Sequence, residues 1–190
     1  MRKIVAIIGD AIIELDSEKY KLAFEAGKAL VDNGYRVQSG GLKGIMEAAF
    51  HGAKSSKNYK EGDTLAILPC FDSSWANKYS DIVVATGLDI YRNVIVANAD
   101  AVVAIGGGSG TLSELAHAWA LKRLIIGYEN VDGWSGKLAG KKIDNRIRYE
   151  NIKDDMVYPV SSAEEMIKLL GEKIDLYNQY HGGISHGEKR

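Results

Sequence analysis

The run Ala101-Val102-Val103-Ala104-Ile105 passes without a break into Gly106-Gly107-Gly108-Ser109-Gly110-Thr111, and no other stretch constrains this chain as much. An apolar, β-branched run of this length reads as a strand buried on both faces, as in a parallel sheet. Four glycines in the next five positions let the chain turn sharply and bring its backbone close to a ligand with no Cβ in the way. Thr111-Leu112-Ser113-Glu114 then opens a helix. The strand therefore delivers a helix N-terminus, whose free N–H groups and positive dipole end favour an anion, phosphate above all.

Similar alternation runs through the chain. Residues 3–8, 35–38, 63–68, 82–85, 101–105 and 124–126 read as strands, and residues 156–160 as an edge strand, because Pro159 is tolerated only at an edge. Helical spacing or caps predict helices over 17–32, 44–53, 88–98 and 111–121 and from Ser161-Ser162 to about Tyr177. Such a pattern predicts an α/β fold: a Rossmann-like three-layer sandwich with a mainly parallel sheet of about 6–7 strands. Residues 1–177 read as one nucleotide-binding domain and 178–190 as a flexible tail. Residues 131–151 are glycine-rich and charged, and read as a surface excursion that packs a single aromatic, Trp134. Ligands of parallel sheets bind beyond the carboxyl ends of the strands. The glycines at 9, 40–41 and 106–110 all fall at such ends.

Composition narrows the field. A formal net charge of −1 gives no general electrostatic case for nucleic acid. Cys70 is the only cysteine, so no internal disulfide can form, which fits a reducing compartment. The apolar run at 4–8 is too short for a membrane span. These features read as a cytoplasmic protein; with the glycine turns at the strand ends, its partner reads as a phosphorylated small molecule.

The functional reading of Gly106–Thr111 is a phosphate cradle in which successive N–H groups and the Thr111 hydroxyl donate to phosphate oxygens. The plain alternative is a tight strand-to-helix turn. A second loop, Ser39-Gly40-Gly41-Leu42-Lys43-Gly44, either presents another helix N-terminus to the same crevice or is simply a turn. Candidate ligand-binding positions are thus Gly9, Gly40, Gly41, Gly44, Gly107, Gly108, Ser109, Gly110 and Thr111. Neither loop fits the dinucleotide fingerprint, since the first turn holds only Gly9, and no Walker lysine follows Gly110.

Gly107-Gly108-Ser109-Gly110-Thr111-Leu112-Ser113-Glu114 matches a G-G-x-G-T-x-x-E core, and Gly40-Gly41-Leu42-Lys43-Gly44-Ile45-Met46 a G-G-x-x-G-[LI]-M segment. With Tyr91-Arg92-Asn93 ahead of the fifth strand, the chain resembles the Lonely Guy-type superfamily, long mislabelled "possible lysine decarboxylases", over residues 3–126. Gly87-Leu88-Asp89 before Arg92, Gly106-Gly107 in place of Pro-Gly-Gly, and Trp134 followed by Asp144-Asn145-Arg146 resemble its molybdenum cofactor carrier-like subgroup. The resemblance implies a bound nucleoside monophosphate or molybdopterin-type ligand, no cofactor required for catalysis, and a homodimer or homotetramer.

By position the resemblance gives Glu114 the role of the acid that assists water attack at a ribose anomeric carbon. It gives Arg92 the role of the arginine that holds the substrate. The plain alternatives are a first-turn acid that complements the helix dipole and a solvated helix arginine. The superfamily enzymes carry Pro where Gly106 stands and Lys where Asn93 stands, so the chain reads first as a carrier of a phosphorylated nucleotide or pterin. The second reading is a phosphoribohydrolase that splits nucleoside 5′-monophosphates, and the third a nucleotide-sensing regulatory subunit. No lysine has the setting of a pyridoxal phosphate Schiff base.

Other residues carry weaker signals. Glu114 and His117 share a helix face, a spacing metal sites use but which arises often by chance. His181 and His186 fall in the tail. Cys70 reads as a plain buried thiol. Trp75 and Tyr79 either flank a base or pterin ring by stacking or simply pack their loop. The apolar positions of 88–98 and 111–121 supply faces for a symmetric oligomer.

Overall fold

The computed structural model describes residues 1–179. Seven strands form one sheet: β1 (Ile4–Gly9), β2 (Arg36–Ser39), β3 (Thr64–Leu68), β4 (Ile82–Ala85), β5 (Ala101–Ile105), β6 (Leu124–Tyr128) and β7 (Val157–Val160). They run in the order β4-β3-β2-β1-β5-β6-β7, and every pairing is parallel. The helices are α1 (Glu18–Asp32), α2 (Ile45–Ser55), α3 (Asn93–Ala97), α4 (Ser109–Ala120), α5 (Trp134–Leu138) and α6 (Ala163–Lys173). The predicted α/β sandwich is the observed one. Pro159 sits in β7 at one edge of the sheet, as its missing N–H requires.

Alternation along β1 explains the layers. Val5 and Ile7 join α1, α2 and α6 in one core, while Ala6 and Ile8 join α3 and α4 in the other. β5 and β6 are buried at every residue, as continuous apolar runs between two helical layers should be. β4, at the other edge, leaves Ile82 and Val84 half exposed. Helices α1 and α2 cross with their backbones in contact: a Cβ on Gly52 would lie 1.8 Å from the Phe24 carbonyl oxygen, and one on Gly27 1.9 Å from that of Ala49.

Some boundaries differ from expectation. The helix predicted over 88–98 is a 3₁₀ turn (Asp89–Arg92) followed by the short α3, and Asp89 takes a left-handed φ of 49°. That kink turns Arg92 inward while Ile90 and Tyr91 stay exposed. α6 stops at Lys173, because Tyr177 is recruited instead to donate a hydrogen bond to buried Asp155 at 2.7 Å. The 131–151 excursion is anchored by more than Trp134. The Trp119 indole N–H donates to Asp144 at 2.9 Å. The buried Arg148 guanidinium lies 3.7 Å from the Trp119 ring centre and donates through Nε to Asp155 at 2.8 Å. In α4 Leu115, Ala118 and Trp119 belong to the core, whereas Leu112 is partly buried and Ala116 and Ala120 are exposed. Residues 180–190, most of the predicted tail with both its histidines, lie outside the described residues. Among the described residues no helix is long and apolar enough to cross a membrane.

Candidate functional site

The sheet order places the site. β1 pairs with β2 on one side and β5 on the other, so the connections leaving β1 and β5 diverge and open a crevice beyond their C-terminal ends. Gly9 and Ile105 are register partners at that point. A cavity of about 410 Å³ opens there, within the size range of small-molecule sites. Its walls come from Gly9–Ile12, Ser39, Gly40, Leu42, Met46, Arg92, Asn93, Gly108–Thr111 and Glu114.

Two halves of the glycine loop do different work. Gly106 and Gly107 have φ of 66° and 98°, which a side chain resists. They are braced by the start of α5: the Trp134 N–H donates to the Gly107 carbonyl at 2.9 Å, and the Ser135 N–H to that of Gly106 at 3.0 Å. The Gly106 N–H in turn donates to Ser135 Oγ at 2.7 Å. Gly108 and Gly110 carry no such constraint. Neither has a positive φ, and a Cβ on either would meet nothing within 4 Å. No protein acceptor takes the amides of Gly108–Thr111 among the described residues. They are the unpaired first amides of α4, with no side-chain cap, and they line the cavity.

Arg92 and Glu114 meet across the cavity floor, with Nη1 to Oε1 at 3.2 Å. Both are buried, at 9% and 7% exposure, so the plain surface readings of these residues fail. Arg92 Nε is buried without a partner among the described residues. Burial pushes the Glu114 carboxyl up to about 7 despite the opposing pull of Arg92, and pushes Arg92 below its ordinary range. A Cβ on Gly40 would lie 2.6 Å and 2.7 Å from the two terminal nitrogens of Arg92. The bare Gly40 backbone therefore makes room for the guanidinium.

Gly9, Gly40, Ser109 and Thr111 line the cavity; Gly41, Gly44 and Gly107 stand behind its wall. A Cβ on Gly107 would fall 2.3 Å from Thr111 Oγ1, so Gly107 accommodates that side chain. Sequence reasoning missed Asp10, which lines the cavity and holds Lys19 at 2.7 Å; Lys19 also reaches Asp132 at 2.7 Å. Its only signal is an acid placed directly after the first strand. Asn93 lines the cavity too, with its amide 3.4 Å from Ser113 Oγ. Neither Trp75 nor Tyr79 borders this cavity. Tyr79 stacks on His51 with ring centres 4.4 Å apart, and Trp75 stands exposed over an adjoining hollow. Cys70 is only partly buried and donates to the Asp72 carbonyl at 3.3 Å. His117 lies 3.4 Å from Ser113 Oγ, and the described residues contain no cluster of three or more His, Cys, Asp or Glu placed to share a metal ion.

Comparison with known proteins gives a concordant picture. Residues 2–167 match the model of the SLOG cluster4 family. An uncharacterized protein of Archaeoglobus fulgidus is 40% identical over 115 residues, 60% of this chain and 72% of that one. The molybdenum cofactor binding protein of the phototrophic bacterium Rippkaea orientalis superposes with a TM-score of 0.73 at 29% identity, over 92% of this chain and 98% of that one. The structural-genomics target TM1055 superposes with a TM-score of 0.75 at 28% identity, over 90% and 99% of the two chains.

Proposed function

The chain belongs to the SLOG cluster4 family, and from that premise we propose that it holds a phosphorylated nucleotide or pterin-type cofactor. The phosphate sits on the Gly108–Thr111 amides and the organic part lies between Ile12, Leu42 and Met46. The observation that carries this reading is the set of unpaired amides at the mouth of α4, beside two glycines that neither backbone angle nor packing requires. Dipole and donors act together on an anion there. Likeness to the Rippkaea cofactor-binding protein supports the pterin branch. The residues suit such a group: the cavity has apolar walls for a ring, amides for a phosphate, and Arg92 as the lining cation among the described residues.

A second reading is hydrolysis of nucleoside 5′-monophosphates, and the state of Glu114 favours it. A buried carboxyl that titrates at about 7 can give or take a proton at neutral pH. Glu114 would direct water at the anomeric carbon and Arg92 would hold the sugar. Asn93 in place of a lysine, and an Arg92 already committed to Glu114, weigh toward holding rather than cleaving.

The test is a panel of AMP, GMP and related monophosphates with purified protein. Binding at a hundredfold excess over Kd should add about 2.7 kcal/mol of stability and raise Tm accordingly. Ligand retained intact supports the carrier; free base that disappears in Glu114→Gln supports the hydrolase. No stabilisation by any phosphorylated compound would sink both. We further propose self-association through the exposed Ile90, Tyr91, Val94 and Ile95.

A further inference from the structure

A second hollow of about 440 Å³ adjoins the cavity, bounded by Leu42, Lys43 and Glu47 on one side and by Ser74 and Trp75 on the other. Leu42 is a wall of both. Lys43 and Glu47 also border a third hollow, whose Ala11 and Ile12 line the main cavity. Lys43 thus stands between the second and third hollows, and Leu42, Ala11 and Ile12 join them to the main cavity.

Trp75 is 66% exposed, whereas Trp119 is 1% exposed. Its loop is nonetheless firmly held. Asp72 caps the 3₁₀ turn by accepting from Ser74 N–H at 2.9 Å. The Asn77 backbone N–H donates to the Gly41 carbonyl at 2.9 Å, and its side-chain amide to the Leu42 carbonyl at 2.9 Å. An exposed indole is therefore carried on a turn tied to Gly41 and Leu42, and Leu42 walls the cavity. Beside it stands Lys43, exposed and in no ion pair among the described residues. A large apolar face and an unpaired cation around a hollow suit a flat aromatic ring with hydrogen-bond acceptors on its edge.

We propose that Trp75 and Lys43 form a second subsite that receives the far ring of the ligand whose phosphate rests on Gly108–Thr111. The inference builds on the binding function proposed above. It makes the favoured ligand class two-headed, with one ring in the main cavity and another stacked on Trp75.

The experiment compares ribose 5-phosphate, AMP, adenosine and diadenosine diphosphate in the full chain by calorimetry and tryptophan fluorescence. Diadenosine diphosphate should bind about tenfold or more tighter than AMP and quench Trp75, the typical scale of one base–aromatic stack. Trp75→Ala should erase that advantage while ribose 5-phosphate affinity stays unchanged, and Trp75→Phe should keep most of it. Lys43→Ala should weaken the two-ring probe and spare ribose 5-phosphate. Equal affinity for both adenylates, or an advantage that survives in Trp75→Ala, overturns the subsite and leaves the cradle standing. Trp75→Ala that changes only the mass of the assembly makes Trp75 a protein contact and overturns it as well. Adenosine quenching as strongly as the two-ring probe would place a separate molecule there and overturn the link to the phosphate. Failure of ribose 5-phosphate to bind the parent protein defeats the cradle itself.

Discussion

Gly40 and Arg92 fit together as hole and peg: the missing Cβ of the glycine leaves the volume that the guanidinium fills, 2.6 Å from where that Cβ would stand. Gly40→Ala should therefore push Arg92 off Glu114. The expected stability loss is about 1–3 kcal/mol, the usual range for overpacking a tight core, with ligand affinity falling alongside. Calorimetric unfolding and a monophosphate titration check both; unchanged affinity would mean that Arg92 has no part in binding.

Gly108→Ala and Gly110→Ala separate binding from folding. A methyl at either position meets no protein atom and no forbidden backbone angle. Stability should hold, or rise by up to about 1 kcal/mol for Gly110 inside the helix. Binding of a phosphorylated ligand should drop at least tenfold, because the methyl occupies the space of the anion. A Tm that holds with affinity intact would remove the cradle.

Glu114 sets a pH dependence with a definite sign. Its folded value, about 7, lies above the ordinary 4.5. The stability tied to the neutral buried form is fully present below 4.5 and is lost as pH rises through 7, because the unfolded chain ionises first. Arg92, with Asp89 near it, is the charged neighbour that limits the loss. Between pH 4.5 and 7 the parent protein should lose stability relative to Glu114→Gln, on the order of 3 kcal/mol. Parallel urea-unfolding curves across that range would contradict this.

Two helical glycines should respond in opposite directions to alanine. Gly171 in α6 has nothing within 4 Å of a Cβ, so Gly171→Ala should stabilise by about 0.5–1 kcal/mol. In Gly52→Ala the methyl would collide with the Phe24 carbonyl, and forcing α1 from α2 should cost more than about 2 kcal/mol, reversing the propensity gain. Denaturant midpoints decide both.

The exposed apolar strip of Ile90, Tyr91, Val94 and Ile95 should hold copies of the chain together as a dimer or tetramer. Sedimentation of Tyr91→Glu should show a smaller particle than the parent. A monomeric parent at micromolar concentration would rule the assembly out.

The strands were legible because burial on both faces leaves an unbroken apolar signature, as in β5 and β6. The crevice was legible because glycines cluster at strand ends. What each glycine does was not. Gly40 serves Arg92, 52 positions later, and Gly107 serves the Thr111 side chain; only folding creates those neighbours. The helix expected over 88–98 broke at Asp89, where a tertiary demand to bury Arg92 overrode local apolar spacing. Asp10 gave only the faint signal of an acid after the first strand, and the α5 brace gave none, since a lone acid and a short helix in a glycine-rich stretch resemble ordinary loop sequence.

The grip of Trp134 and Ser135 on Gly106 and Gly107 has a kinetic corollary. A glycine-dense turn would otherwise sample many shapes and demand ordering each time a guest arrived. Here those bonds fix the hinge in the folded chain, so the proposed donors would meet an anion preorganised. Association should then be limited by diffusion and desolvation, and differences among guests should surface chiefly in how long they stay.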